Sequence, residues 1–332
     1  MIRMVWMKII KKFLFIPGVK RRLERVGQLY ETDRIEKERD IFSREHEVYP
    51  LDFTSYLPDT EERIERLRRV INKRPVAIIL RGPSLTELEE RITELEGCDI
   101  CYSTQNVFRP SEEHILRKIN RNISLFMCSS PFALYQEINN HNLIDFLERQ
   151  EDNFFISETD SLRSLEPKMS QGFDSGKFIE KYDKKTLFFT SAYTSITMRE
   201  GLSPRIPSIE YPLHFPRQNT FSILLSLAVI GGASMVVFFG GDGGRIEGRE
   251  LFYRGYGWTI PEQTLEKQLA IDTRLFNVTM PLILEKIYKM YNLRPVDIVN
   301  CSVQSRYTPF RKLSYDETFA LLKSFKKDAD ST

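Results

Sequence analysis

Residues 75–84 read PVAIILRGPS. The five apolar residues from Val76 to Leu80 leave a strand with no polar face, and such a strand is buried on both sides, as in a parallel sheet. Gly82 admits backbone conformations closed to other residues and lets a ligand come close to the chain. Pro83 sets a tight turn, and Ser84 can cap a helix running through Leu85, Leu88 and Ile92. Free amides at a helix start favour phosphate. The spacing is neither a Walker loop nor a G-x-G-x-x-G fingerprint. It therefore reads as a nucleotide loop, with a plain strand-to-helix turn as the alternative.

Outward from this junction, strand and helix patterns alternate. An amphipathic helix is expected over Glu61–Asn72, with Ile64, Leu67, Val70 and Ile71 on one face. After the junction, strands are expected at Asp99–Ser103, Ile123–Met127, Asn153–Ile156 and Thr186–Thr190, with helices at Glu112–Ile119 and Phe132–Arg149 and a polar stretch over 157–185. An apolar helix over Phe221–Ile230 leads into the strand Met235–Phe239 and the turn Gly240–Gly244. A long helix near Glu262–Tyr291 precedes a last strand, Val296–Asn300. This is the pattern of a doubly wound, mostly parallel Rossmann-like α/β sheet, which binds ligands at the carboxyl ends of its strands. Residues 61–327 form this domain, and residues 1–60 form a helical extension and charged arm.

The 332 residues are 41% hydrophobic and 28% charged, which excludes wholesale disorder. No run reaches the roughly 20 apolar residues of a membrane-spanning helix. Cys98, Cys101, Cys128 and Cys301 are too scattered for a disulfide framework, so a reducing cytoplasm is expected. Although Cys98 and Cys101 have metal-ligand spacing, a structural zinc site needs a second pair, and buried structural thiols are the better reading. Residues 1–23 hold seven basic residues and no acidic one, which leaves −5 on the rest of a chain whose total is +2. A mildly acidic body is not a nucleic-acid clamp, so no nucleic-acid partner is expected.

The fragments VAIILRGPSL (76–85), DICYSTQN (99–106), GGASMVVFFGGDGG (231–244) and VDIVNCS (296–302) resemble the 6-hydroxymethylpterin diphosphokinase MptE-like family. That family is similar to the Maf flagellin glycosyltransferases and, more distantly, to Rossmann-like bacterial sialyltransferases. The resemblance implies a nucleotide loop at Gly82, Pro83 and Ser84, and nucleotide-side polar residues at Thr104 and Gln105. It further implies a nucleotide-contacting helix start at Asn219 and Thr220, a Gly-x-Asp strand end at Gly241 and Asp242, and a closing turn at Asn300, Cys301 and Ser302. Two departures stand out. Leu80 and Arg81 replace the first pair of the relatives' Gly-x-Gly-Pro-Ser. No histidine follows Asp242, where the sialyltransferases keep a catalytic one, since the four are His46, His114, His141 and His214.

The glycine-rich stretch 242–258 also carries Arg245, Arg249, Tyr253, Arg254, Tyr256 and Trp258. Arginine forks bind phosphate or carboxylate, and aromatic planes stack on bases or sugars, so this stretch reads as a lid or as an anchored surface loop. Asp242 can ligate Mg²⁺ on a diphosphate, hydrogen-bond a ribose, or simply cap a strand end. Asp272, beside Arg274, is a second candidate base or a surface ion pair. His214 is read as lying in a flexible segment.

Three functions are carried forward. The first is a glycosyltransferase using a nucleotide-activated sugar on a glycan or protein acceptor, in surface glycan or glycoprotein biosynthesis. The second is a Mg²⁺-dependent diphosphokinase acting on a pterin-like substrate, and the third is an inactive nucleotide-binding protein. Oligomeric state stays open, a homo-oligomer included. Ile2, Val5, Trp6, Ile9, Ile10, Phe13 and Leu14 share one helical face beside Lys8, Lys11 and Lys12. Such a helix suits an anionic leaflet, and suits equally a packing site on the body or another subunit. On the membrane reading the protein is peripheral on the inner face. Full-length protein is then expected to bind anionic vesicles at low salt and to be released by salt or by deletion of residues 1–16, as co-sedimentation measures. A full-length protein that ignores those vesicles leaves the segment a packing helix.

Overall fold

The computed structural model describes residues 58–106, 109–128, 131–140, 142–149, 152–158, 174–192, 213–216, 220–253 and 262–325. The arm over residues 1–57 therefore lies outside the described residues. Helix α1 (Pro58–Ile71) opens with a proline, carries Arg68 and Arg69 in its last turn, and buries Ile64, Leu67 and Ile71. Strand β1 (Val76–Ile79) follows, then α2 (Leu85–Arg91), β2 (Cys101–Gln105), α3 (Arg109–Arg117) and β3 (Leu125–Cys128). The single helix expected over Phe132–Arg149 is instead two, α4 (Pro131–Asn139) and α5 (Asn142–Arg149). Next come β4 (Phe154–Glu158), α6 (Ser175–Lys181), β5 (Thr186–Ala192) and β6 (Leu213–Pro216). The last third holds α7 (Thr220–Ile230), β7 (Met235–Phe239), α8 (Glu262–Met290), β8 (Asp297–Asn300), β9 (Arg311–Lys312) and α9 (Tyr315–Lys323).

Among the described residues nine strands form one sheet in the order β6-β5-β4-β3-β2-β1-β7-β8-β9, and every neighbouring pair is parallel. His214 lies on β6 opposite Thr190, a strand that hydropathy alone did not reveal, which corrects the reading of a flexible segment. The chain winds outward from β1 to β6, then α7 returns it to the other side of β1, where β7 pairs with it. Beside β1 the strand order therefore reverses, and a crevice forms at such a switch point.

Both central strands are buried along their whole length, as their unbroken apolar runs require. On one face α7 packs against α1, α8 and β7, and all its residues from Phe221 to Ile230 are buried. A helix apolar all round can sit only there. Phe221 stacks on Phe276 of α8 at 4.9 Å between ring centres. On the other face Phe239 meets Tyr315 and Phe319 of α9, at 5.6 and 6.1 Å.

Beyond their last paired residues β1 and β7 stay in contact. The Leu80 amide donates to the Phe239 carbonyl at 2.9 Å, and the Gly82 amide to that of Gly240 at 2.9 Å. Gly240 has φ +66, and a Cβ there would stand 2.2 Å from the Leu80 carbonyl oxygen. Gly97 also has positive φ (+77), yet nothing lies within 4 Å of its missing Cβ. Gly240→Ala is therefore expected to cost roughly 2–4 kcal/mol by urea unfolding, from backbone strain plus overlap, and Gly97→Ala only about 1 kcal/mol from strain. Equal losses would refute close packing at the switch point.

Candidate functional site

The site is built on one contact. Asp242, 2% exposed, accepts the Ser84 amide through Oδ2 at 2.8 Å. Ser84 is helical (φ −70°, ψ −11°) and its hydroxyl caps nothing, which corrects the expected serine cap. The Asp242 carboxylate, carried on the turn after β7, instead holds the Ser84 amide itself. At Gly82 a Cβ would lie 2.3 Å from Asp242 Oδ2 and 2.4 Å from the Gly240 carbonyl oxygen, so its missing side chain makes room for the protein itself. Pro83 offers its carbonyl to Thr86 at 3.3 Å and to Arg249 at 3.2 Å. Two polar atoms are left over: Asp242 Oδ1 and Ser84 Oγ are buried and make no hydrogen bond.

Ser84 borders a cleft of about 780 Å³ at the carboxyl ends of β1, β7 and β8. Its walls include Glu87, Glu247, Arg249, Ser302 and Gln304, with Val303, 60% exposed, at the lip. Tyr315 donates its phenol proton to the Ser84 carbonyl at 2.9 Å and closes one end. Burial holds that phenol well above the ordinary tyrosine range, with the charges of Asp242 and Glu87 adding to the shift, so it stays a donor. Tyr315 is set by a capping box in which Ser314 and Glu317 satisfy each other's amides. Two wall carboxylates face one wall guanidinium, and buried Asp242 adds a third acid, so the cleft is acidic.

The other expected residues divide between scaffold and site. Asn300 is fully buried, donates to the Gly241 carbonyl at 3.1 Å and accepts the Ser302 amide at 3.0 Å, so it clamps the ends of β7 and β8. Gly241 is filled by the Phe238 ring, 2.3 Å from where a Cβ would be. Thr104 is buried and gives its hydroxyl to the Ile79 carbonyl at 3.3 Å, a cross-strand bond within the sheet. Gln105 ends β2 and Thr220 starts α7, while Asn219 and Arg254 lie outside the described residues. Arg245 pairs with Glu262 of α8, which turns its fork toward that helix. Asp272 sits on α8 outside the cleft lining; its charge and that of Asp242 both bear on Tyr307, whose phenol burial pushes up to about 12.

The glycine-rich stretch divides as well. The Tyr253 amide donates to the Arg81 carbonyl and Arg81 Nε to the Tyr253 carbonyl, each at 3.0 Å, and the Tyr253 phenol reaches Glu89. Leu251 and Tyr253 are buried. Residues 251–253 thus dock on Arg81 and Glu89, and Ile246, Glu247 and Arg249 of the largely exposed stretch before them line the cleft, whereas Tyr256 and Trp258 lie outside the described residues. All four cysteines are free and buried, and burial raises Cys101 to about 11. Among the described residues no group of three or more His, Cys, Asp or Glu stands close enough to hold a metal ion. No helix among them is long and apolar enough to cross a membrane.

Sequence reasoning missed Glu87, Glu247, Gln304 and Tyr315, which carry no local motif and meet only through the switch point. It also missed Glu112 on α3, which is wholly buried with neither carboxyl oxygen hydrogen-bonded. Burial holds its carboxyl well above the ordinary range; Arg81 opposes that, and Glu137 and Glu113 add to it.

The fold and the cleft define a doubly wound α/β protein with an acidic crevice at its switch point. The chain matches no protein-family model, and no curated protein or solved structure matches it.

Glu112 also sets a pH dependence. A carboxyl raised by folding binds its proton more tightly in the native state, so its contribution is fully present below the unfolded glutamate value and is lost as pH rises toward the native one. Between about pH 5 and pH 8 wild type should lose stability relative to Glu112→Gln, as paired urea titrations measure. Parallel curves would show that the carboxyl is not buried unpaired.

Proposed function

We propose that this chain is a nucleotide-dependent transferase, and specifically a glycosyltransferase that uses a nucleotide-activated sugar to build a surface glycan or glycoprotein. The observation that carries the reading is the cleft at the β1–β7 switch point with the unpaired Asp242 Oδ1 beside it. Open α/β sheets bind ligands at this position, and a cleft of about 780 Å³ is of the size that takes a nucleotide sugar. The motif resemblance to nucleotide-using transferases supports the same reading.

Electrostatics decides how a nucleotide is held. The Ser84 amide is already occupied by a carboxylate, and a bare diphosphate entering an acidic cleft meets repulsion. A divalent cation would resolve this, and the unpaired Asp242 Oδ1, buried behind Ser84, is the oxygen that would hold it beside the phosphates. When bound, such an ion neutralises charge on the departing phosphate. The remaining work falls to the chain. Arg249, steadied on the Pro83 carbonyl, offers a guanidinium to the leaving diphosphate. Ser84 Oγ, Ser302 and Gln304 supply hydrogen bonds that orient the donor. Glu87 and Glu247 are the wall carboxylates able to take a proton from an acceptor hydroxyl, a role the missing histidine leaves to be filled. The basic amphipathic N-terminus supports work at the cytoplasmic face of a membrane, where glycan acceptors are anchored.

Thermal shift and calorimetry against CMP-, UDP- and GDP-sugars, GTP and ATP, with and without Mg²⁺, test the reading. At least one of them should bind with Mg²⁺ and bind at least ten-fold more weakly without it. Asp242→Asn should remove that Mg²⁺ dependence, and Glu247→Gln should lower turnover more than affinity. Binding of none of these nucleotides in either condition would overturn the proposal.

A further inference from the structure

The carboxylates on the cleft wall are poorly matched by cations. Glu87, on the first turn of α2 after Ser84, lies 3.5 Å from Arg91. Arg91 makes closer pairs with Glu94, at 2.8 Å, and with Asp316, at 2.6 Å. Lys323, 3.0 Å from Glu94, is the other cation of that group. Two cations thus answer three carboxylates, and Glu87 holds the longest contact. Glu247 is exposed on the wall, and neither flanking arginine turns to it. Arg245 pairs with Glu262 and Glu266, and Arg249 reaches the Pro83 carbonyl. The charges of Glu87 and Asp242 both act on the Tyr315 phenol, which closes one end of the cleft.

We propose that this cleft takes a donor whose sugar is uncharged, and that Glu87 and Glu247 exclude sugars bearing a carboxylate. The inference rests on the nucleotide-sugar reading above and narrows its donor class. A divalent cation held by Asp242, together with Arg249, balances the charge of a diphosphate. Glu87 and Glu247 are then left over beside the sugar.

The sugar is bonded to the phosphate that Arg249 faces, and Glu247 stands two residues from Arg249 in the chain. A wall carboxylate that takes a proton from the attacking hydroxyl must also lie within hydrogen-bond reach of it, and hence close to the sugar carbon under attack. A carboxylate on that sugar meets like charge in a recess, where water screens less than in bulk. Binding it calls for a second guanidinium or ammonium. Among the described residues the cleft wall carries one basic side chain, Arg249, and the diphosphate takes it. Sugar hydroxyls suit the same wall, because each can donate a proton to a carboxylate oxygen.

The test measures binding to the full chain with Mg²⁺ by calorimetry. It compares UDP-glucose with UDP-glucuronate and GDP-mannose with GDP-mannuronate, and adds CMP-sialate as a further acidic donor. Members of a pair share base, diphosphate and ring, and differ by a hydroxymethyl group replaced with a carboxylate. At low salt the neutral member of whichever pair binds should bind about ten-fold or more tightly than the acidic one. High salt screens the repulsion and the double variant Glu87→Gln/Glu247→Gln removes it, so either should bring the pair within about three-fold. A gap that survives both changes would show exclusion by shape and overturn the charge assignment. An acidic donor, CMP-sialate included, that binds wild type as tightly as the neutral donors overturns it too and leaves nucleotide binding standing. Failure of every donor to bind overturns both readings.

Discussion

The functional end of this molecule depends on the contact between the Asp242 carboxylate and the Ser84 amide. It ties the loop after β7 to the start of α2, across the one place where the sheet reverses its winding. Gly82 and Gly240 are glycines because the two backbones and that carboxylate occupy the space where side chains would be. Asn300, Ser305 and the Gly241 carbonyl extend the same lattice of bonds to β8, and Tyr315 carries it to α9 through Ser84. The cleft walls therefore sit on elements that these hydrogen bonds tie to one another, which favours a preorganised site.

The same contact changes the electrostatics expected of the site. A glycine turn before a helix suggests a positive cradle for phosphate. Here the helix is short, the Ser84 amide at its start is spoken for, and the unpaired atoms beside it are the Ser84 hydroxyl and a carboxylate oxygen. An anionic ligand needs an accompanying cation or the Arg249 fork. Carboxylates on the cleft wall suit hydroxyl groups, which they can orient and deprotonate. Acidic lining and nucleotide chemistry are compatible only when charge is shared in this way.

Legibility in the sequence followed the range of the interaction. Strands β1 and β7 were readable because unbroken apolar runs permit burial on both faces, and the parallel sheet follows from that burial. Asp242 was readable as a candidate from its glycine neighbours, but its partner was not, since Ser84 lies 158 residues away in the chain. Strand β6 escaped because its four residues, Leu213 to Pro216, include two with no strand preference. Thr104 and Asn300 looked like ligand contacts, although their side chains are used up by backbone groups of neighbouring strands.

The sequence by itself determined the layers: which segments are buried on both faces, which helix is apolar all round, and which turns need glycine. These are local properties, set by a few consecutive side chains and their affinity for water. Only the tertiary structure decided what the turns are for. It placed β7 beside β1, filled the Gly82 gap with a carboxylate, brought Glu87, Glu247 and Arg249 around one cleft, and buried Glu112 without a partner. Each of these depends on residues far apart in the chain arriving within a few ångströms of one another. No periodicity or motif encodes that, because it is a property of the closed sheet rather than of any segment of it.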